Sequence, residues 1–260
     1  MAAMLRTAQI IHQCWQQGRV IDSLPPDCQP ADIAEAYRAQ AALADLQAEP
    51  VLGWKIAATA EAGRRHINVD HPLAGRLFAS KVSADGATVA LQANRMGVAE
   101  AEFVLMLGRD LPARSAPYTD AEVATAIAAV HPGLELPDSR FTDFTKAGAA
   151  GLLADNACAG LFVLGPAASG SFDPAQLSEQ PTTLWVNDEI VTQGTGSDAL
   201  GGPLPALTWL ANTLSEHGVS LQRGQFVTTG VTGAPSPVRA GDEVRADLGR
   251  FGSVRARLTP

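Results

Sequence analysis

Two acidic residues inside a long apolar run constrain the fold of this chain more than any other feature. Glu100 and Glu102 are separated by one alanine within the run 98–107, which is otherwise apolar and predicts a buried β-strand. Side chains alternate along a strand, so both carboxylates point to the same face, about 7 Å apart along the chain. Buried carboxylates repel each other and lose hydration, so a divalent cation such as Mg²⁺ or Mn²⁺ is favoured between them. The alternative is a solvated pair on an edge strand.

A third acid, Glu135, also has apolar neighbours, in the segment 131–136 that follows a predicted helix. Nothing in the spacing connects Glu135 with the pair at 100 and 102. For this acid alone, a solvated position on an edge strand is the more usual interpretation. Its link to a metal site therefore depends on further evidence.

Hydrophobic periodicity divides the chain into a helical N-terminal segment, 1–50, and a strand-rich domain, 51–260, which is an α+β organisation. Asp32 and the capping pattern that starts at Thr119 indicate where two helices begin. The predicted helices cover 4–15, 31–46, 120–130 and 204–217. Short apolar runs between Gly, Pro and Asp clusters predict strands over 51–57, 98–107, 160–164, 183–186 and 252–258.

Composition excludes several classes of protein. Apolar residues make up 46% of the 260 residues and charged ones 18%, which is enough material for a buried core. The net charge is −8 without a basic run, so neither nucleic acid nor an anionic membrane is a predicted partner. No stretch has the pattern of a membrane span or a signal peptide, and three scattered cysteines are typical of reduced thiols. A cytoplasmic location is expected.

Short motifs surround the three acids and follow one another along most of the chain. They are Ala36-Tyr37-Arg38-Ala39-Gln40, Gly53-Trp54-Lys55-Ile56, Val69-Asp70-His71-Pro72, Glu100-Ala101-Glu102, Leu134-Glu135 with Asp138-Ser139-Arg140, Asp155-Asn156-Ala157 and Trp209-Leu210-Ala211-Asn212. Each motif alone is weak. Their order and spacing together resemble the 2-keto-4-pentenoate hydratase/4-oxalocrotonate decarboxylase family, within the fumarylacetoacetate hydrolase superfamily.

This resemblance implies a fold and a metal site. The implied fold is a mixed β-sandwich roll, like the C-terminal domain of fumarylacetoacetate hydrolase, with a small helical N-terminal part. Glu100, Glu102 and Glu135 would be the ligands of Mg²⁺ or Mn²⁺. The resemblance also implies a homo-oligomer and leaves room for association with a partner enzyme of the same pathway.

The same resemblance assigns roles to residues around the metal. Lys55 would meet the carboxylate or enolate oxygen of the substrate, and Asp70 would assist proton transfer. Asn156 would line the substrate pocket.

Two further residues have open alternatives. Arg140 would either bind a substrate carboxylate through a bidentate pair of N–H groups or pair with Asp138 or Asp143. His131 precedes Pro132 at a predicted helix end, where a structural cap is favoured over a functional role.

The expected substrate is a small 2-oxo or 2-hydroxy-dienoic acid. A 2-oxo acid chelates a divalent metal through its carboxylate and keto oxygens, and the metal stabilises the enolate that forms on proton removal. Hydration of 2-hydroxypenta-2,4-dienoate (2-keto-4-pentenoate) or a relative is the leading prediction, which makes the protein a hydro-lyase of aromatic compound catabolism. The alternatives are decarboxylation of a 2-oxo diacid of the 4-oxalocrotonate type, hydrolysis of an acylpyruvate and a non-catalytic partner subunit. A diacid needs a second cationic contact, for which the candidates are Arg64, Arg65, Arg76 and Lys81.

Two positions depart from the family pattern. Leu73 stands where hydratases often carry a second acid soon after Asp70, which weakens the prediction of a dienoate hydratase in particular. Val231 follows Gly230 where the family often has serine or alanine. That change removes a polar contact at the far end of the pocket.

Overall fold

The computed structural model describes residues 2–92 and 94–260. The α-helices within these ranges are α1 (Ala2–Gln17), α2 (Ile33–Gln47), α3 (Glu61–His66), α4 (Asp120–Ala124), α5 (Gly148–Ala154) and α6 (Pro203–Glu216). The strands are β1 (Val51–Ala57), β2 (Leu73–Phe78), β3 (Val82–Ala84), β4 (Ala87–Ala90), β5 (Val98–Leu107), β6 (Ile127–Leu136), β7 (Leu161–Leu164), β8 (Pro181–Val186), β9 (Glu189–Thr195), β10 (Phe226–Val231), β11 (Ser236–Pro237), β12 (Glu243–Asp247) and β13 (Ser253–Thr259).

Helices α1 and α2 pack against each other, and both contact α5. Ala8 and Ile11 of α1 and Leu43 of α2 are fully buried in one small core. The side chain of Asp32 accepts a hydrogen bond of 2.7 Å from the N–H of Glu35, so it caps the start of α2 and satisfies an otherwise unpaired donor. Both helices were predicted from apolar spacing, and both are present.

The predicted helix over 120–130 is wrong in its second half. Thr119 and Glu122 form the expected capping box, with hydrogen bonds of 3.3 Å and 2.9 Å in the two directions. The helix nevertheless ends at Ala124, and Ile127 begins the ten-residue strand β6. The alanine-rich composition favours helix locally, but pairing with the buried strand β5 overrides that preference.

The larger sheet has eight strands and carries the three acids. Its order is β2-β1-β10-β5-β6-β7-β3, with β11 also paired to β5. The β1–β10 and β3–β7 pairs are parallel and the others are antiparallel, so the sheet is mixed. Strands β5 and β6 pair so that Glu100 lies directly opposite Glu135. The register of two strands distant in sequence thus brings the third acid to the first pair.

The smaller sheet has five strands in the order β4-β13-β12-β8-β9. Strands β12 and β13 contact β5 and β6 of the larger sheet, so the two sheets pack face to face. Alternation in β13 explains the packing, because Val254, Ala256 and Leu258 are buried and the residues between them are exposed. Phe103 of β5 meets Phe251 edge to face, with ring centroids 5.8 Å apart.

The structure confirms an α+β chain with helices at its N-terminal end and mixed sheets after them. Helix α6 lies against β5 and β10 of the larger sheet. Within residues 2–92 and 94–260, no helix has the length and apolar character needed to cross a membrane.

Candidate active site

Three glutamates form one cluster on the larger sheet. Glu100 and Glu102 come from β5 and Glu135 from β6, and one carboxylate oxygen of each lies within 4.8 Å of the other two. Glu102 and Glu135 are each 1% exposed, whereas Glu100 is half-buried at the edge of a cavity. Strand alternation places the first two on one face, and the β5–β6 register adds the third.

Strand β10 fixes the carboxylate of Glu102. Glu102 Oε2 accepts hydrogen bonds from the hydroxyl of Thr228 and from the N–H of Gly230, the latter at 2.8 Å. Gly230 has a φ of +110°, and a Cβ there would lie 2.2 Å from Oγ1 of Thr59. Only glycine therefore allows the backbone to approach this closely while donating to Glu102.

Two buried carboxylate oxygens in the cluster accept no hydrogen bond from the described residues. They are Glu102 Oε1 and Glu135 Oε1. Nζ of Lys55 lies 2.9 Å from Glu135 Oε1 and forms an ion pair with it, so Glu102 Oε1 is the one of these two oxygens that no described residue meets. Buried oxygens without donors are costly unless a cation meets them. The donor set of three carboxylates therefore fits a hard divalent cation such as Mg²⁺.

The electrostatics of the cluster support the same conclusion. Burial and then repulsion from Glu135 raise the pKa of Glu100 to about 8. Burial and the neighbouring acids also raise the pKa of Glu102 well above its usual range. Burial by itself would lower the pKa of Lys55, but Glu135 and Glu100 outweigh it and raise that pKa. Without a cation the cluster retains protons, which a divalent cation would replace.

Lys55 is held beside the cluster by two contacts. It is 2% exposed on β1, and Nζ donates a hydrogen bond of 3.1 Å to the carbonyl oxygen of Ala157. Ala157 is the centre of three consecutive non-glycine residues with left-handed backbone, Asn156 (φ 58°), Ala157 (φ 53°) and Cys158 (φ 57°). Three such residues in a row are unusual, and this turn aims the carbonyl group at the ammonium group.

A cavity of about 430 Å³ opens beside the cluster. Lys55, Glu100 and Cys158 lie at its polar end. The remainder is lined mostly by apolar residues from β1, α3 and the loops around them. This size is typical of a small-molecule site, and the cavity joins the buried lysine and one of the glutamates to a mostly apolar wall.

The structure places two predicted site residues away from this cavity. The side chain of Asp70 is 95% exposed and lies 3.1 Å from Nδ1 of His71, and neither residue lines the cavity. The amide of Asn156 accepts from the N–H of Arg76 at 2.7 Å and donates to its carbonyl at 2.8 Å. That amide therefore fixes β2 to the left-handed turn, and it is not a lining group of the cavity.

Arg140 is buried and pairs with an aspartate other than the two predicted ones. Its guanidinium pairs with the carboxylate of Asp155, donates 2.7 Å to the carbonyl of Asp155 and 3.1 Å to that of Ala159, and lies 4.5 Å from the ring centroid of Trp15. It does not pair with Asp138 or Asp143, because Asp155 is fully buried at the end of α5 and requires a cation.

His131 lies within β6, and Nδ1 is 2.9 Å from the carbonyl of Gly165. The predicted helix cap at this residue is therefore wrong. The helix already ends at Ala124, and residue 131 belongs to the strand that pairs with β5.

Thr228, Gly230 and the carbonyl of Ala157 were not predicted as site groups. Thr228 lies 126 residues from Glu102 along the chain, so no local pattern links them. The glycine at 230 is a signal in retrospect, since a positive φ in a strand indicates close approach of another group. The Asp155-Asn156-Ala157 motif lies at this turn, but the sequence predicts only a pocket-lining role for Asn156 there.

A family model for the C-terminal domain of fumarylacetoacetate (FAA) hydrolase matches residues 43–259. The chain belongs to this family.

Relatives that match this chain over nearly its whole length show which members of the family it is similar to, by the activity in their names. A 2-keto-4-pentenoate hydratase of Burkholderia vietnamiensis is 36% identical over 264 residues, covering 100% of this chain and 96% of the relative. A TodF product hydratase of Pseudomonas putida is 30% identical over 260 residues, covering 98% of this chain and 94% of the relative. The structure of 4-oxalocrotonate decarboxylase from Pseudomonas putida G7, complexed with magnesium and adipate, is similar with a TM-score of 0.88 and 27% identity, covering 98% and 97% of the two chains. The predicted resemblance is confirmed.

Proposed function

We propose that this protein is a metal-dependent hydro-lyase that hydrates 2-hydroxypenta-2,4-dienoate or a close relative. The observation that carries the proposal is the buried cluster of Glu100, Glu102 and Glu135 beside Lys55, at one end of a cavity. The similarity to proteins named 2-keto-4-pentenoate hydratase and 2-hydroxyhexa-2,4-dienoate hydratase supports hydration as the reaction.

The three glutamates would hold Mg²⁺ or Mn²⁺, and the bound cation supplies Lewis-acid stabilisation of an enolate. Lys55 places a buried positive charge beside the position that the oxygens of a 2-oxo acid would take. Because the surrounding acids raise its pKa, the ammonium group stays charged and needs no reorganisation as negative charge develops. Water addition at the remote double bond then gives a 4-hydroxy-2-oxo acid.

Asp70 would assist proton transfer. Its exposed position requires the segment around Asn68 and His71 to cover the cavity when substrate is bound. Replacing Asp70 with Asn is expected to lower kcat by about 100-fold, the usual size of a general acid–base contribution. Asp188→Asn, at another exposed turn, is the control. Equal kcat values for the two variants would remove Asp70 from the mechanism.

The resemblance predicts that Asn156 lines the substrate pocket, and a substrate contact is one of the two alternatives for Arg140. Their hydrogen bonds favour a positioning role, because Asn156 ties the left-handed turn to β2 and Arg140 neutralises Asp155 just before that turn. Both residues would thus act through the carbonyl of Ala157, which receives the Lys55 ammonium group.

Decarboxylation of a 2-oxo diacid is the second candidate, favoured by the similarity to 4-oxalocrotonate decarboxylase. We also propose that the two packed sheets form the β-sandwich roll of the family, with residues 1–50 as a helical segment and 51–260 as the catalytic domain. A homo-oligomer and a cytoplasmic location complete the proposal. The three buried free cysteines fit a reducing compartment.

The experiment follows the ultraviolet absorbance of freshly generated 2-hydroxypenta-2,4-dienoate with enzyme, with and without Mg²⁺ or Mn²⁺. Metal-dependent loss of the dienol absorbance with formation of 4-hydroxy-2-oxopentanoate is expected. An unchanged absorbance in the presence of metal would contradict the proposal. Release of carbon dioxide from a 2-oxo diacid would then support decarboxylation, and cleavage of an acylpyruvate would support hydrolysis.

A further inference from the structure

We propose that a second, smaller cavity binds a small oxyanion, such as a carboxylate or a phosphate, and that the bound anion stabilises the turn that holds Lys55. This cavity lies between the end of α1, the approach to β3 and the segments 138–140 and 159–161. It shares one lining residue, Arg95, with the cavity beside the glutamates. The site is separate from the proposed reaction, because neither the three glutamates nor Lys55 line it.

The second cavity has room for a small anion and is surrounded by cations. Its volume is about 80 Å³, which accommodates a group of a few heavy atoms. Asp138 is the one acid among the described residues that line it, and its Oδ1 accepts a hydrogen bond of 2.9 Å from the N–H of Arg95. The basic residues of the lining are Arg19, Lys81, Arg95 and Arg140. This excess of positive charge favours an anion.

Arg140 has hydrogen-bond donors left over for such an anion. Its guanidinium group is almost fully buried, and Nε donates to the carboxylate of Asp155. The two terminal nitrogens each donate one hydrogen bond, to the carbonyl groups of Asp155 and Ala159. A guanidinium group has five N–H groups. One N–H on each terminal nitrogen is therefore without an acceptor among the described residues, and carboxylate and phosphate oxygens are the preferred acceptors for such groups.

Lys81 is a half-buried cation that forms no ion pair within residues 2–92 and 94–260. Its Nζ lies 5.8 Å from the ring centroid of Trp15, and the guanidinium carbon of Arg140 lies 4.5 Å from the same centroid. Burial and then the charge of Arg140 lower the pKa of Lys81, and Glu49 and Asp138 oppose this shift without reversing it. An anion beside both cations would offset the burial and the repulsion.

The end of α1 places another cation at the mouth of the cavity. Gly18 has a φ of +60°, and the N–H of Arg19 donates a hydrogen bond of 3.0 Å to the carbonyl of Cys14. These two features are typical of a left-handed helix cap, which directs the exposed Arg19 toward the cavity. The end of a helix carries only about half a negative charge, so it accounts for one basic residue and not for a cluster of them.

Lys81 is also one of the four basic residues that the sequence offers for the second carboxylate of a diacid. The structure places it in this second cavity. Arg64, Arg65 and Arg76, the other three, also lie outside the lining of the cavity beside the glutamates. Lys81 is thus available to a ligand other than the substrate.

Arg140 connects the second cavity to the turn that holds Lys55. It donates to Asp155 before the turn and to Ala159 after it. Between them, the carbonyl of Ala157 accepts the hydrogen bond from Nζ of Lys55. An anion that binds Arg140 in this position favours the ordered turn, since a ligand stabilises the arrangement to which it binds.

Calorimetric titrations test the site with inorganic phosphate and with acetate, separately, at an ionic strength held constant with chloride. Each titration is run with and without Mg²⁺. At least one of the two anions is expected to bind with a Kd on the order of 1 mM or below in both conditions, because the site contains none of the proposed metal ligands. The tighter of the two identifies the ligand as a phosphate or a carboxylate.

Two results of these titrations would overturn the proposal. One is that neither anion binds at concentrations up to about 10 mM. The other is binding that requires Mg²⁺, because such binding belongs to the glutamate cluster.

Single substitutions locate the bound anion. Lys81→Gln is expected to weaken binding by at least about tenfold, since it removes a half-buried charge. Arg19→Gln removes an exposed charge, which water screens, and should weaken binding by about threefold. Lys146→Gln, at an exposed lysine outside this cavity, is the matched control and should bind as the unaltered protein does.

The pair of variants keeps this test decisive even if one of them folds poorly. Arg19 is exposed, so its replacement leaves the core intact. Affinity that is unchanged in both the Lys81 and the Arg19 variants would overturn the assignment of the site. A loss in the Lys146 variant as large as that in the Lys81 variant would overturn it as well.

Hydrogen exchange tests the effect on the turn. The N–H of Ala159 donates a hydrogen bond of 3.0 Å to the carbonyl of Asn156, so its exchange reports on opening of the turn. With the bound anion at about ten times its Kd, exchange in residues 155–159 is expected to slow by up to about tenfold. Exchange in β9, which does not line the cavity, should stay the same. Equal rates in residues 155–159 with and without the anion would overturn the stabilising role.

Discussion

The two ends of the cavity are built from different parts of the fold. At the polar end, Glu100, Glu102, Glu135 and Lys55 stand on paired strands of one sheet, and neighbouring strands fix their side chains. At the apolar end, two valines still stand on β5 and β10, whereas Ile67, Met96 and Phe144 come from short helices and loops and are only half-buried. The groups proposed for the chemistry thus lie on the rigid sheet, and much of the remaining cavity wall lies on segments that can vary.

The largest loss of activity should come from replacing one of the proposed metal ligands at the polar end of the cavity. Glu102→Gln removes one negative charge and an oxygen that faces the proposed cation. We expect kcat/KM to fall by about 1000-fold and Mg²⁺ affinity to fall with it. Steady-state kinetics and metal titration would measure both quantities. Glu189→Gln, on an exposed strand, is the control and should retain activity. Retained metal affinity in the Glu102 variant would exclude the ligand role.

The next effect should come from removing the buried ammonium group. Lys55→Met is expected to lower kcat by about 100- to 1000-fold, because a preorganised charge beside the developing enolate is lost. Mg²⁺ affinity should stay the same or rise, since the ammonium group competes with the cation for Glu135. A lower kcat together with unchanged or tighter Mg²⁺ binding distinguishes Lys55 from the metal ligands, whose replacement should weaken both. Lys146→Met, whose side chain is 83% exposed, serves as the matched control. Parallel losses of metal affinity and kcat would show that Lys55 only supports the cluster.

The pH dependence of thermal stability tests the polar end of the cavity without a mutation. The pKa of Glu100 is raised to about 8, so its neutral form favours the metal-free folded state. That stability is present at low pH and is lost as the pH rises through about 8. At one fixed Mg²⁺ concentration, 100 times the Kd that holds at pH 8.5, Mg²⁺ should raise Tm by about 5 °C at pH 8.5. The same concentration should raise Tm by less at pH 6, where protons compete with the cation. Thermal unfolding with and without Mg²⁺ measures the difference, and a larger shift at pH 6 would contradict it.

The smallest effect concerns Cys158, which lines the cavity next to the turn that holds Lys55. Burial raises the pKa of its thiol to about 12, so the thiolate is scarce near pH 8. Iodoacetamide should alkylate Cys158 at least about 100-fold more slowly in the folded protein than in urea. Peptide mass spectrometry over time measures the two rates. Fast alkylation of the folded protein would mean that the polar end of the cavity opens to solvent at Cys158.

The sequence predicts the parts of the site that depend on local pattern. Strand alternation identifies Glu100 and Glu102 as a pair facing one way, and the motif around Lys55 identifies the lysine. Periodicity finds both N-terminal helices and five of the thirteen strands in the described residues, β1, β5, β7, β8 and β13. The resemblance supplies the link to Glu135. The second half of the predicted helix over 120–130 is wrong, because local alanine content carries no information about the partner strand.

What the sequence does not reveal depends on contacts between distant segments. The hydrogen bond from Gly230 to Glu102 spans 128 residues, and the contact between Lys55 and Ala157 spans 102. Arg140 shows the same limit, since its partner Asp155 lies 15 residues away and beyond the two nearer aspartates. In each case the tertiary fold selects among partners that are equivalent in sequence.

The opposition of Glu100 and Glu135 across β5 and β6 has a consequence for how the chain assembles. A slip of one residue between these strands would turn Glu135 to the other face of the sheet and leave an incomplete set of oxygens. A cation that prefers the complete set therefore discriminates between correctly and incorrectly aligned strands during refolding. The proposed Lewis acid of the reaction would then also favour the correct pairing of β5 and β6.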